Sequence, residues 1–352
     1  MTSLINLLNN VSMEDLKERG LNIKTDGNLY MVLYDKEKEI DDVSRVCRGI
    51  ILEKETNRVM CYTFDKGVDG SMDWNIDDCE FEESVDGTQI RLFWNGDRWQ
   101  YATTRCIDAF RAYWYSTKSF GELFDEAATS LDLERLDKRC CYAFVLCHPG
   151  NRIVTAYNRP HIIHVMTRNL DTLEEVRDDD IGIIRPRKLS FTTKEELEND
   201  LMTDKVLNEG VMVRNKLTGE RNKQIKVVYE MVKKLRGNVR DMTMRFFELL
   251  QEGILSIFLY YYPEYSGQFT EYHTQYLQIM HEVQRSYFRK MIRRDWTMLN
   301  VRYEYRPLVS ELHELYKKTH KRTDLNVVGQ YLLGLPVQRL MFVYNNRFKD
   351  CK

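Results

Sequence analysis

Between residues 28 and 230, short runs rich in β-branched and aromatic residues are set off by turn residues, the pattern of strands rather than of long helices. Leu29–Leu33, Gly49–Leu52, Arg58–Thr63, Gln89–Trp94, Trp99–Thr103, Cys141–Leu146, Ile153–Ala156, Ile162–Met166, Gly210–Arg214 and Gln224–Tyr229 read as strands. Asn95-Gly96-Asp97, between two of them, reads as a hairpin turn. Helices are predicted over Ile107–Thr117 and Phe120–Leu136. From about Tyr229 onward, apolar residues recur three and four apart, predicting helices within Met231–Gln251, Thr274–Met291, Leu308–Lys318 and Val327–Leu332. A domain boundary is therefore expected near residues 230–240, with an α+β domain over residues 1–230 and an all-helical domain over residues 231–352. No internal repeat is detectable.

At 352 residues, with 43% hydrophobic and 30% charged residues, the chain has the make-up of a folded protein of two domains. Its longest apolar runs, such as Gly253–Tyr262, fall far short of the roughly 20 residues that span a bilayer. Met1–Asn10 has no basic start and is broken by Asn6, Asn9 and Asn10, so no secretory signal is expected there. These features, with eight scattered cysteines read as reduced thiols, suggest an intracellular, cytoplasmic protein that does not use a membrane. No C-x-x-C occurs, and Cys140, Cys141, Cys147 and His148 lack zinc-knuckle spacing. His161 and His164, three apart in a strand, would point to opposite faces, so no metal site is expected.

Charge divides the chain as the elements do. Residues 1–220 carry 29 Lys+Arg against 41 Asp+Glu, while residues 221–352 carry 23 against 13. The basic C-terminal part suits a polyanion, of which nucleic acid, RNA or DNA, is the usual one, or else a protein partner or the acidic first part. Arg285, Arg289 and Arg293 recur every four residues, as do Lys290 and Arg294, predicting a basic stripe beside an apolar face of Leu277, Met280, Val283 and Tyr287.

Four segments carry candidate chemistry: Arg48-Gly49-Ile50-Ile51-Leu52, Ser84-Val85-Asp86-Gly87-Thr88, Glu209-Gly210-Val211-Met212-Val213 and Gln224-Ile225-Lys226. Each is weak alone, since D-G is also an ordinary turn. In this order, with the phrase Asn151-Arg152-Ile153-Val154-Thr155-Ala156-Tyr157 and a helical tail, the chain resembles the bacteriophage RNA ligase 1 family of tRNA-repair ligases, within the covalent nucleotidyltransferase superfamily.

The resemblance implies a ligase-type nucleotidyltransferase fold of antiparallel sheets with flanking helices. It also implies a lysine of K-x-D-G that attacks the α-phosphate of ATP, with cations and a metal stabilising the developing charge. Arg48, Lys66, Asp86, Gly87, Glu209 and Lys226 match retained positions and become the candidate nucleotide-binding residues. Ser84, however, occupies the nucleophile slot, Val145 stands where a ribose-binding glutamate is expected, Gln224 replaces the first lysine of K-x-K, and Thr104 replaces another lysine. Lys66-Gly67-Val68-Asp69-Gly70-Ser71 has one residue too many for the motif, which favours Lys66 as a phosphate contact over a nucleophile. Four departures together predict a catalytically degenerate relative that binds RNA or nucleotide, or serves as a scaffold. The alternatives are an active ligase, which would need ATP and Mg, and a partner-binding protein with a relic pocket. Arg285, Arg289, Lys290, Arg293 and Arg294 are the candidate RNA-binding residues.

Overall fold

A computed structural model describes residues 12–35, 37, 41–67, 70, 73–177, 179–203, 207–239, 241–294 and 301–346. The readings of Met1–Asn10, Cys351 and part of the 66–71 segment lie outside these residues. The chain divides into two units, Met1–Lys233 and Lys234–Lys352.

The first unit contains three antiparallel sheets. β1 (Asn22–Asp26), β2 (Leu29–Leu33), β3 (Arg48–Glu53) and β4 (Val59–Cys61) pair in sequence order. The central sheet joins β6 (Thr88–Trp94), β7 (Trp99–Thr103), β8 (Cys140–Cys147), β9 (His161–Asn169) and β10 (Glu175–Val176) in the order β10-β9-β8-β6-β7. β5 (Cys79–Ser84), β11 (Lys188–Leu189), β12 (Gly210–Asn215) and β13 (Arg221–Ile225) form the third, ordered β11-β5-β12-β13.

The continuous apolar run of β3 is explained by burial on both faces of its sheet. Met31, Ile51 and Cys61 pack with Phe93, Ala102 and Cys141 of the central sheet, while Tyr30, Ile50 and Leu52 meet Leu16 of helix α1 (Met13–Glu18). Between β2 and β3, helix α2 (Asp42–Val46) is capped by the Asp41 side chain. The opposite side of the central sheet buries Leu123, Phe124 and Ala127 of helix α3 (Phe120–Ala127), whose capping box joins Ser119 and Glu122. Helix α4 (Lys194–Met202) places Leu197 against Phe81, Val211 and Val213 of the third sheet.

Several sequence expectations are corrected. Ile107–Thr117 holds only a 3-10 turn, Ala109–Arg111, opened by the Asp108 cap, and the helix expected to reach Leu136 ends at Ala127. Asp132 caps a separate 3-10 turn at Leu133–Arg135. Ile153–Ala156 is not a strand, because the Val154 and Thr155 N–H groups bond to a side chain instead of a neighbouring strand. Strand β13 stops at Ile225, and helix α5 (Val227–Arg236) begins where Gln224–Tyr229 was expected to remain extended.

The second unit is helical, as expected. Gly237, at φ +64°, ends α5, and Asp241 caps α6 (Met242–Glu252), so the single helical segment Met231–Gln251 resolves into two. Then follow α7 (Leu255–Tyr261), α8 (Ser266–Tyr287), α9 (Arg306–Thr319), α10 (Leu325–Leu333) and α11 (Val337–Asn346). α8 buries Phe269, Tyr276, Ile279, Val283 and Tyr287, whereas Leu277, expected on its apolar face, is exposed. No helix among the described residues is long and apolar enough to cross a membrane.

His164 is buried beside Tyr142 and Phe144, with Thr167 as hydrogen-bond partner and Asp179 at 3.9 Å. Burial, reinforced by Arg185 and opposed by Asp179, pushes its pKa down to about 4. The folded value lies below the unfolded value of about 6.5, so this contribution to stability is complete above pH 6.5 and is lost as pH falls towards 4. Denaturation midpoints across that window should fall less steeply for His164→Gln than for the parent.

Candidate functional site

The site is organised around the turn between β5 and β6. Ser84 ends β5 opposite Gly210, the first residue of β12. Gly210 has φ +141°, and a Cβ there would lie 2.1 Å from the Gln224 carbonyl oxygen, so only glycine lets β12 and β13 close at this point. Glu209 immediately precedes that glycine, which sets its side chain beside Ser84. The Ser84 hydroxyl donates to Glu209 Oε2 at 2.6 Å, and Lys223 Nζ donates to the same oxygen at 2.8 Å. Ser84 and Glu209 are buried, and Lys223 reaches them from the rim.

Asp86 serves a different purpose. Its Oδ2 accepts the N–H groups of Val154 and Thr155 at 3.0 and 2.6 Å, and its Oδ1 accepts the Tyr229 hydroxyl at 2.6 Å. The Tyr157 hydroxyl donates to the Asp86 carbonyl, and Asn151 Nδ2 donates to Thr88 Oγ1. The D-G motif and the N-R-I-V phrase are thus two sides of one buried hydrogen-bonded cluster. Gly87 completes it, since a Cβ there would strike the Leu146 carbonyl oxygen at 2.5 Å.

In front of this cluster lies a cavity of about 750 Å³, within the size range of small-molecule and cofactor sites. Arg48, Lys66, Ser84, Gly87, Thr104 and Val145 all line it, drawn from segments up to 97 positions apart in sequence. Arg221 and Lys223 add two cations, and Asp65, Glu82 and Glu83 supply opposing charge. Burial pushes the Glu82 carboxyl pKa up and the Arg48 guanidinium pKa down. The Arg48 guanidinium donates a long hydrogen bond, 3.5 Å, to the Asp65 carbonyl oxygen.

The structure does not bring every candidate into the cavity. Asp86 lies behind the wall, engaged as described, and Lys226 is buried on the side of α4, with Nζ 3.3 Å from Asp200. Gln224 is not on the wall either, and donates to the carbonyl of Gly70, which is. On β13 the cavity instead receives Arg221, Lys223 and Ile225, the alternate set. Sequence matching selected Gln224 and Lys226, whereas the two-residue alternation of Arg221-x-Lys223-x-Ile225 was the available signal for the cavity face. Val145 lines the wall with an apolar side chain and offers a ribose hydroxyl no partner.

The basic stripe also changes form. Residues Phe288–Ile292 make a π turn, closed by Arg293 N–H to the Phe288 carbonyl at 3.0 Å. That i→i+5 bond interrupts the four-residue alignment, so Arg293 does not continue the line of Arg285 and Arg289. Its guanidinium sits 5.3 Å from the centre of the Phe288 ring.

The antiparallel sheets thus form a cavity of mixed charge with Ser84, Gly87, Arg48 and Lys66 of the sequence motifs on its wall, the arrangement of strands and helices expected from the resemblance. No family model matches the chain. An RNA ligase of Rhodothermus phage RM378 is 26% identical over 201 residues, covering 46% of this chain and 46% of that protein. The chain thus aligns with about half of that relative's length. An immediate-early protein ICP-46 homolog of Invertebrate iridescent virus 6 is 21% identical over 349 residues, covering 86% of this chain and 73% of that one. Among solved structures, an archaeal ATP-dependent RNA ligase superposes with a TM-score of 0.47 at 13% identity, over 73% of this chain and 70% of the other. The phage relative is thus similar to this chain over the 201 aligned residues, and the sequence resemblance already described is to the same kind of protein.

Replacing Asp86 by Ala would leave three donors without their acceptor, so a loss of about 3 kcal/mol is expected in chemical denaturation. Tyr229→Phe, which removes one of the three bonds, should cost about 1–2 kcal/mol in the same measurement.

Proposed function

We propose that the chain is a catalytically degenerate RNA-ligase-like protein whose cavity binds a nucleotide without capturing it covalently. The observation that carries this reading is Ser84, whose hydroxyl is held by Glu209 in the slot where the resemblance requires a lysine amine. A hydroxyl bound to a carboxylate is a far poorer nucleophile than a desolvated amine, and losing a member of a catalytic unit costs on the order of a millionfold in rate. Arg48, Lys66, Arg221 and Lys223 fit the phosphates of a nucleotide. Magnesium would arrive with those phosphates and reduce their mutual repulsion. No protein carboxylate is assigned to it, since Glu209 Oε2 already accepts from Ser84 and Lys223.

Incubation with α-labelled ATP or GTP and magnesium, followed by denaturing electrophoresis, should show no surviving label although equilibrium dialysis retains nucleotide. A second reading, an active nucleotidyltransferase with a different amine, is favoured by Lys223, which reaches the carboxylate that holds Ser84. A label mapping to Lys223, Lys66 or Ser84 would establish that reading and remove the first. Ser84→Lys alone is expected to restore little adduct formation, since Val145 still lacks a ribose partner and the new ammonium meets that of Lys223 at Glu209.

The name of the phage relative makes RNA the natural polymer for the helical unit. Arg285 and Arg289 precede or enter the π turn, and Lys290, Arg293 and Arg294 follow around it. Each phosphate contact contributes about 0.7–0.9 to the salt slope of binding. Arg285→Gln/Arg289→Gln should therefore weaken RNA binding in filter assays and flatten that slope by roughly 1.5. Unchanged binding across a panel of RNAs would shift the reading to a scaffold that meets a protein partner.

A further inference from the structure

Arg168 is buried on β9 and does not line the cavity. Its guanidinium donates twice to the Thr63 carbonyl, from Nε at 3.1 Å and Nη2 at 2.8 Å, and once to the Leu173 carbonyl, at 2.5 Å. It also lies over the Tyr62 ring, 4.4 Å from its centre. A buried guanidinium is costly unless its donors are used, and here they are used on the chain that leaves β4.

That chain runs straight on to the cavity. Phe64, Asp65 and Lys66 line it, the Tyr62 hydroxyl donates to Asp65, and the Lys66 N–H donates to the Arg45 carbonyl at 2.7 Å. A second route leads from Arg168 to the same wall. Glu175 of β10 stands opposite Arg168 in the β9–β10 pairing, and its carboxylate accepts from Arg221 at 2.7 Å. Arg221 lines the cavity, and its guanidinium lies 4.9 Å from the centre of the Phe64 ring. The path from Arg168 through Thr63, Phe64, Arg221 and Glu175 thus closes on itself, and it carries Arg221 and, two residues beyond Phe64, Lys66.

We propose that Arg168 is a positioning residue for the cationic wall of the cavity, setting Lys66 through the Thr63 carbonyl and Arg221 through Glu175 without touching the ligand. The inference rests on the reading of the cavity as a nucleotide site and adds what holds two of its cations in place. Without the forked grip on Thr63 these two side chains must be ordered anew each time phosphates bind, which lowers affinity.

ATP binding to the full-length protein is measured calorimetrically for Arg168→Lys, which keeps the charge but cannot make the forked contact. Affinity should fall about tenfold, the effect of ordering two long side chains on binding. The same change made in Lys66→Ala/Arg221→Ala should alter affinity by no more than about twofold, since the groups through which Arg168 acts are gone. Leu123→Ala, which loosens the opposite side of the central sheet, should leave ATP affinity within about twofold and so separates positioning from general loss of stability. Glu175→Gln cuts the second route alone. It should weaken ATP binding in the parent but not in Arg221→Ala, and it decides the matter if Arg168→Lys does not fold. Unchanged affinity, equal losses in both backgrounds, or a loss matched by Leu123→Ala would overturn the positioning role while leaving the nucleotide site standing. Failure of the parent to bind ATP would remove both.

Discussion

The buried carboxylate of Asp86 is the constraint on which the site depends. It joins the β5–β6 turn, the irregular segment at Val154–Thr155 and Tyr229 of α5, three pieces of chain that no sheet ladder connects. A carboxylate in the interior is costly unless its lone pairs are used, and here two backbone donors and a phenol use them. Once these bonds form, Ser84 and Gly87 are fixed on the wall of the cavity, and the pairing of β6 with β8 sets Val145 against Gly87. Asp86, Gly87 and the N-R-I-V phrase therefore have a reason to be present that does not depend on any reaction.

Strands were legible in the sequence wherever burial on one or both faces imposed a pattern. Leu29–Leu33 and Trp99–Thr103 coincide with β2 and β7, and the Asn95-Gly96-Asp97 turn lies in the loop that joins β6 to β7. The errors came where a local pattern had a non-local competitor. Ile153–Ala156 is β-rich, but the Asp86 side chain supplies the acceptors that a neighbouring strand would have supplied. The expected Ile107–Thr117 helix lost to aromatic packing, with Phe110 stacked on Tyr101 and lying across Gly121. β1, with Asn22, Lys24 and Thr25 exposed at a sheet edge, carried too little hydrophobic contrast to be read.

The site was legible as a set of segments and less so as a set of side chains. A motif match fixes residue types along the chain, whereas a strand shows alternate residues to the cavity, so a match that differs by one position changes the face completely. That is why Gln224 and Lys226 are not on the cavity wall while Lys223, absent from the motif match, sits within reach of Ser84's partner. The π turn had a similar effect in the tail. Four-residue spacing is a valid sign of a common face only while the backbone keeps α-helical pitch, and one i→i+5 closure ends it.

The groups on the cavity wall are unequal in physical kind, and this orders the proposed functions. Positive charge is still well represented, with Arg48, Lys66, Arg221 and Lys223 on the wall. Position 84 carries a hydroxyl and position 145 an isopropyl group, where the resemblance implies an amine and a carboxylate. Ser84 and Lys223 both donate to Glu209, so this part of the wall is a closed polar cluster rather than a buried carboxylate left unpaired. A pocket that keeps charge without the reacting groups can still hold an anion by Coulomb attraction, which tolerates displacement of an ångström, whereas phosphoryl transfer requires near-attack geometry and loses rate steeply with such a displacement. On these grounds the proposed function places binding ahead of catalysis at this cavity.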